Sequence, residues 1–156
     1  MSEILHYDLQ AKIDKFGYTF IGVMSDSVNP GFTYTIGLTA LGMPELIMFA
    51  VKAQYAVQML TDLIENHKKA GTVPGPTSRF RPLTELSNLP AHLIVAETEK
   101  AEQYAFQAKY YAEERNLKPT YLQWVFPDRE GNFPWDKRWD KGFDKAQPLL
   151  GVAPKW

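Results

Sequence analysis

Arginines in two proline-flanked segments are the residues of this sequence best equipped to hold an anion. Arg79 and Arg81 lie in the run Gly75-Pro76-Thr77-Ser78-Arg79-Phe80-Arg81. A guanidinium offers phosphate or carboxylate a planar bidentate fork, and the Thr77 and Ser78 hydroxyls add donors beside it. In an extended segment the two arginines point the same way and Phe80 the other, because side chains alternate. The competing reading is an ordinary solvated loop. Arg129 lies in Phe126 to Trp135, where Asp128-Arg129-Glu130-Gly131 has Asp at the start and Gly at the end of a tight turn. Pro127 and Pro134 stiffen its flanks, so the loop can aim Arg129, Trp135 and Asp136 at a ligand. In the structural alternative, Phe133 and Trp135 plug a sheet edge while Arg129 pairs with an aspartate. Tyr34, Trp124 and Trp135 are candidates to stack on a planar ring, weighed against core packing, the commoner use of large aromatics.

Other chemistries find less support. His6, His67 and His92 fall in three different elements with no histidine pair at i+2 or i+4, so no local metal signature exists. Asp128, Asp136, Asp140 and Asp144 crowd the tail and could hold a metal or divide acid and base roles. Arg129, Lys137, Arg138, Lys141 and Lys145 interleave with them, which favours a solvated face of alternating charge. The chain has no cysteine, no G-x-S-x-G elbow, no G-x-x-x-x-G-K loop and no G-x-G-x-x-G.

The first functional expectation is therefore non-catalytic binding of a small anionic planar ligand, such as a nucleotide or nucleotide signal, with no metal and no cofactor. A flavin-dependent oxidoreductase on a split barrel is the second reading. A metal-dependent hydrolase using the C-terminal aspartates is the third, and a protein-interaction domain the fourth. A net charge of −1 with mixed signs argues against a nucleic-acid polymer as partner. The start of the chain lacks the cations and apolar run of a signal peptide, and the longest strongly apolar stretch, Leu46 to Val51, is too short to span a bilayer. These features point to a cytoplasmic protein without a membrane partner, and self-association into a homo-oligomer is compatible with them.

The elements that must position these residues are readable in part. A length of 156 residues suits a single domain over 1–156. Leu5, Leu9 and Ile13 mark a helix over 3–15, capped by Ser2. Strands are expected over 18–24 and 32–38, joined by a turn at Asn29-Pro30-Gly31. Leu46 to Val51 reads as a strand covered on both faces. Ala56, Met59, Leu60, Leu63, Ile64 and His67 recur at helical spacing over 53–70, with Gly71 as the stop. Residues 71–82 read as a loop, 91–96 as a strand, 98–115 as a second long helix and 121–126 as the last strand. The tail, 127–156, shows little periodicity. This order predicts an α+β fold: a mixed, mainly antiparallel sheet with two long helices packed on it.

Several segments together resemble a known family. They are Tyr34-Thr35-Ile36-Gly37-Leu38-Thr39, Gly42-Met43-Pro44-Glu45-Leu46, Pro127 to Trp135, and Gln147-Pro148-Leu149-Leu150-Gly151. In combination they resemble the bacterial and phage domain of unknown function 4262, over roughly residues 16–151. The resemblance implies no activity; a phage-type member that binds a nucleotide could act by sequestering a host signal. Such sequences are expected to carry histidine before Pro-Glu-Leu, and here Met43 holds that place. The run from Ile21 to Val51 is also similar, in its order of strands and turns alone, to the first half of a flavin-reductase split barrel.

Overall fold

The computed structural model describes residues 7–80 and 90–152, with the side chains of residues 7 and 77–80 outside that description. Six strands form one sheet in the order β1-β2-β3-β6-β5-β4. They are β1 Thr19–Val23, β2 Phe32–Ile36, β3 Glu45–Phe49, β4 Thr77–Phe80, β5 Ala91–Ala96 and β6 Tyr121–Val125. Only β3 and β6 run parallel; the other pairings are antiparallel. The fold is thus α+β with a mixed, mainly antiparallel sheet, as the order of elements predicts.

Both faces of the sheet are covered. Alternation in β3 sends Leu46 and Met48 to one side, where they meet Ala56, Met59, Leu60 and Ile64 of helix α2, Ala53–Ala70. Ile47 and Phe49 go to the other, against Ile13 of α1 (Tyr7–Phe16) and Ala108 and Tyr111 of α4 (Phe106–Glu114). Every residue of β3 is buried, which is why its sequence is continuously apolar after Glu45. Leu63 is only partly buried, and the His67 ring nitrogen Nδ1 lies 2.8 Å from Thr72 Oγ1 just past the end of α2.

Two elements differ in kind from expectation. The second long helix is two pieces, α3 (Thr98–Glu102) and α4, broken at Ala105, whose φ and ψ are −85° and 53°. The break lets Tyr104 set its ring edge-on to Phe32 and Phe49, at 5.2 and 5.1 Å between centroids. Aromatic packing outweighs one turn of helix there. Residues 77–80 form the edge strand β4 where the prolines suggest a loop. Pro76 immediately precedes the strand, a position that an edge strand tolerates.

Candidate functional site

The Thr-Ile-Gly-Leu-Thr and Pro-Glu-Leu segments meet at a buried carboxylate. Glu45 is 0% exposed. Its Oε1 accepts from Thr35 Oγ1 at 2.7 Å and Leu38 N–H at 3.3 Å; its Oε2 accepts from Thr39 N–H at 2.9 Å and Thr39 Oγ1 at 2.6 Å. Thr35 Oγ1 in turn accepts Leu46 N–H at 2.8 Å. The donors come from β2 and from the 3-10 turn Leu38–Leu41, which Gly37 enters with φ 111°. Burial holds the Glu45 carboxyl above its ordinary range, and the four hydrogen bonds only partly offset it. Glu45 joins strand to turn inside the protein and is closed to solvent.

The Pro-Asp-Arg segment is organised by Asp128, which is buried beside the sheet. Its Oδ1 accepts the N–H groups of Glu130 and Asn132, both at 2.9 Å, and its Oδ2 accepts Asp140 N–H at 2.9 Å. Burial pushes its pKa up, but backbone N–H donors led by that of Asn132 outweigh this and hold the carboxyl below its ordinary range. The other tail aspartates are also engaged locally. Asp136 accepts Phe133 N–H, Asp140 accepts Gly142 N–H, and Asp144 accepts from the Trp139 indole, at 2.7, 2.9 and 2.7 Å. Gln147 clamps the tail to the sheet: its amide accepts Phe126 N–H at 2.8 Å and donates to Phe126 C=O at 2.9 Å.

The residues expected to bind a ligand are therefore dispersed. Tyr34 is 2% exposed and Trp124 is 1% exposed, so neither offers a ring face to a ligand. The Tyr34 ring stacks on Phe32, and its hydroxyl accepts Gln107 N–H at 3.1 Å, capping the first turn of α4. Burial pushes the Tyr34 phenol up to about 12. Both side chains follow the alternation of central strands into the core. Trp135 is partly buried, stacked 8° from the Phe133 plane and edge-on to His92 of β5. Arg129 and Asp136 are exposed. Thr77, Ser78 and Arg79 are placed only by their backbone in β4; Arg81 and His6 lie outside the described residues. The backbone of β4 pairs with β5, and Trp135 packs on His92 of β5, so both lie on the β5 side of the sheet.

Toward the other edge of the sheet, beside β1 and β2, lies a cavity of about 750 Å³. The β1–β2 hairpin forms one wall with Val23, Met24, Val28 and Phe32, while Lys52 at the start of α2 and Lys145 from the tail also line the space. Met24 is 91% and Val28 83% exposed. Asp26 lines it too, but its Oδ1 accepts the N–H groups of Val28 and Asn29 at 2.8 and 2.7 Å, fixing the hairpin loop. Asn29 N–H is the leading cause that holds the Asp26 carboxyl below its usual range. Ala50 turns β3 into the floor of the cavity with φ 70°, a left-handed value that is uncommon outside glycine. Sequence reasoning passed over this region. Its one legible sign was an apolar methionine and valines in a Pro-Gly turn, where polar residues are usual; Lys145 gave none.

No described helix is long and apolar enough to cross a membrane, and among the described residues no group of three or more His, Asp or Glu is placed to hold a metal ion. The family model of the domain of unknown function DUF4262 matches residues 12–140. No curated protein and no solved structure matches the chain.

Proposed function

We propose that this chain, which belongs to the DUF4262 family, is a non-catalytic binding module for a small anionic planar ligand such as a nucleotide or nucleotide signal. The ligand enters the cavity between the β1–β2 hairpin and the start of α2. The observation that carries the reading is the cavity itself. Its volume, about 750 Å³, lies within the range of small-molecule sites, and its lining combines an apolar wall with two lysines. Asp26 also lines the cavity, and its carboxylate is engaged by its own loop. A planar apolar body fits against Val23, Met24, Val28 and Phe32 while the anion is drawn to the lysines. A cytoplasmic phage or bacterial protein of this kind would act by sequestering such a ligand.

Calorimetric titration with AMP, cyclic dinucleotides and FMN tests this. One nucleotide should bind wild type at tens of micromolar or tighter, roughly −6 kcal/mol. The double variant Lys52→Gln, Lys145→Gln should bind about tenfold more weakly or worse. Absence of binding by every member of the panel refutes the reading, and saturable FMN binding with a yellow preparation from cells moves the flavin reading ahead of it. A second location is favoured by the β4–β5 pairing, which sets the backbone of Thr77, Ser78 and Arg79 beside β5, the strand on which Trp135 packs. If Arg129→Lys weakens binding while the lysine variants do not, the ligand sits there.

A further inference from the structure

The floor of the cavity, under the first turn of α2, combines three features. First, α2 has 18 residues, and its N-cap is Lys52, with no side-chain cap and no acidic residue in the first turn. Tyr55 and Ala56 direct their N–H groups to Lys52 C=O, both at 3.0 Å. Ala53 and Gln54 are thus the first-turn donors with no intrahelical carbonyl to reach, at the positive end of the helix dipole. Second, Thr33 lines the same cavity from β2. It is 0% exposed, and its Oγ1 is buried without a hydrogen-bond partner. A buried hydroxyl left unpaired costs free energy unless something absent from the protein satisfies it. Third, Gly22 pairs with Thr33 across the hairpin, and a Cβ there would lie 2.8 Å from the Ala53 Cβ and 3.7 Å from Thr33 Oγ1. The missing side chain lets the helix start approach the strand, so the unpaired hydroxyl and the start of α2 flank the same glycine.

We infer that this floor is an oxyanion subsite for a phosphate monoester, which accepts hydrogen bonds from Ala53 N–H, Gln54 N–H and the Thr33 hydroxyl while Lys52 and Lys145 neutralise its charge. The inference rests on the cavity reading above and deepens it. It names the chemical group that is held and the end of the cavity that holds it. The planar remainder of the ligand then lies outward along Met24 and Val28. Helix N-termini with free N–H groups suit phosphate, and a hydroxyl at their side completes a donor set that a carboxylate, with two oxygens, fills less fully.

Thr33→Val separates a ligand role from a structural one. Valine keeps the shape and removes the unpaired hydroxyl, so the variant should melt at the wild-type temperature or above. Amide NMR titrations with inorganic phosphate, AMP and ribose 5-phosphate at fixed ionic strength should shift Gly22, Thr33, Ala53 and Gln54 saturably in wild type. Thr33→Val should weaken all three by about tenfold or more, the effect of one charge-assisted hydrogen bond. Thr33→Ser, which keeps the hydroxyl, should stay within about threefold of wild type. Silent Ala53 and Gln54 amides, or Thr33→Val binding as tightly as wild type, overturn the subsite. AMP shifts confined to the hairpin 23–29 overturn the subsite but leave the cavity reading standing. Phosphate shifts at Ala53 and Gln54 with no gain from adenosine in AMP leave the subsite standing and remove the planar ligand.

Discussion

Replacing Glu45 by glutamine tests whether the buried carboxyl holds the β2–β3 connection, and the structure sets both magnitude and pH dependence. Four donors converge on its two oxygens, two of them backbone N–H groups. Glutamine keeps one carbonyl oxygen, best turned to the two short bonds from Thr39, and places its NH2 toward Thr35 Oγ1 and Leu38 N–H. A hydroxyl can rotate to accept; a backbone N–H has no such option. One buried N–H is left unpaired, at a cost of about 1–3 kcal/mol. Glu45→Ala strands both N–H groups and opens a void, at roughly 3–5 kcal/mol. Burial raises the folded pKa above the ordinary 4.5, so the folded protein binds the proton more tightly than the unfolded chain. That contribution is complete below pH 4.5 and is lost as pH rises through the raised value, by at most about 1.4 kcal/mol per pH unit. Glutamine has no proton to lose. Urea denaturation at pH 5 and pH 8 should therefore give a wild-type advantage that is larger at pH 5. An equal difference at both pH values would refute the raised carboxyl, and a difference below about 0.5 kcal/mol at pH 5 would refute the cradle itself.

Leu60→Ala should cost about 2–5 kcal/mol in urea denaturation, since Leu60 is fully buried between α2 and the sheet; a loss under about 1 kcal/mol would contradict that packing. Gly37→Ala should cost at least about 2 kcal/mol by the same assay, because φ is 111° and a Cβ would sit 2.7 Å from Gly17 C=O. Asp128→Asn should lower the melting temperature at pH 7, with the deficit shrinking as pH falls through and below 3.8. A carboxyl with a lowered folded pKa contributes above its unfolded value and loses that contribution in acid, so a pH-independent deficit would contradict the three-donor arrangement.

Periodicity carried the elements whose packing is simple. The bounds of α2 follow from its apolar stripe and Gly71, which takes the left-handed cap with φ 70°. Strand β5 likewise spans the expected Ala91–Ala96. Periodicity failed where a tertiary contact accompanies a departure from local preference, as at Tyr104, which packs on Phe32 and Phe49 beside the break in the second helix. It also failed at β4, four residues long and irregular in register. For the site, the alternation of Phe32, Tyr34 and Ile36 already placed Tyr34 on an apolar face, so its burial was legible and the ligand role was the weaker half of that reading. The reach of Asp128 to Asp140 N–H spans 12 residues of chain and leaves no local mark. The cavity is harder still to read from sequence, because its walls come from residues 22–33, 50–53 and 145–146.

The segments that make this chain recognisable have a common chemistry, and it is internal. Thr35, Thr39 and Glu45 satisfy one another and three backbone N–H groups. Asp128 takes the N–H groups of its own turn and of the tail. Gln123 donates to Pro148 C=O and accepts Leu150 N–H, while Gln147 does the same for the two backbone groups of Phe126. Each is a side chain standing in for backbone partners where a turn or the tail must be held without a ladder. A buried polar group left unpaired costs about as much as a hydrogen bond gains, or more, so such positions tolerate few residue types whatever the protein binds. The cavity draws on other residues: the hairpin from Gly22 to Thr33, the turn from Ala50 to Ala53, and Lys145. The fold is therefore held by internal hydrogen bonds of residues other than those that line the cavity.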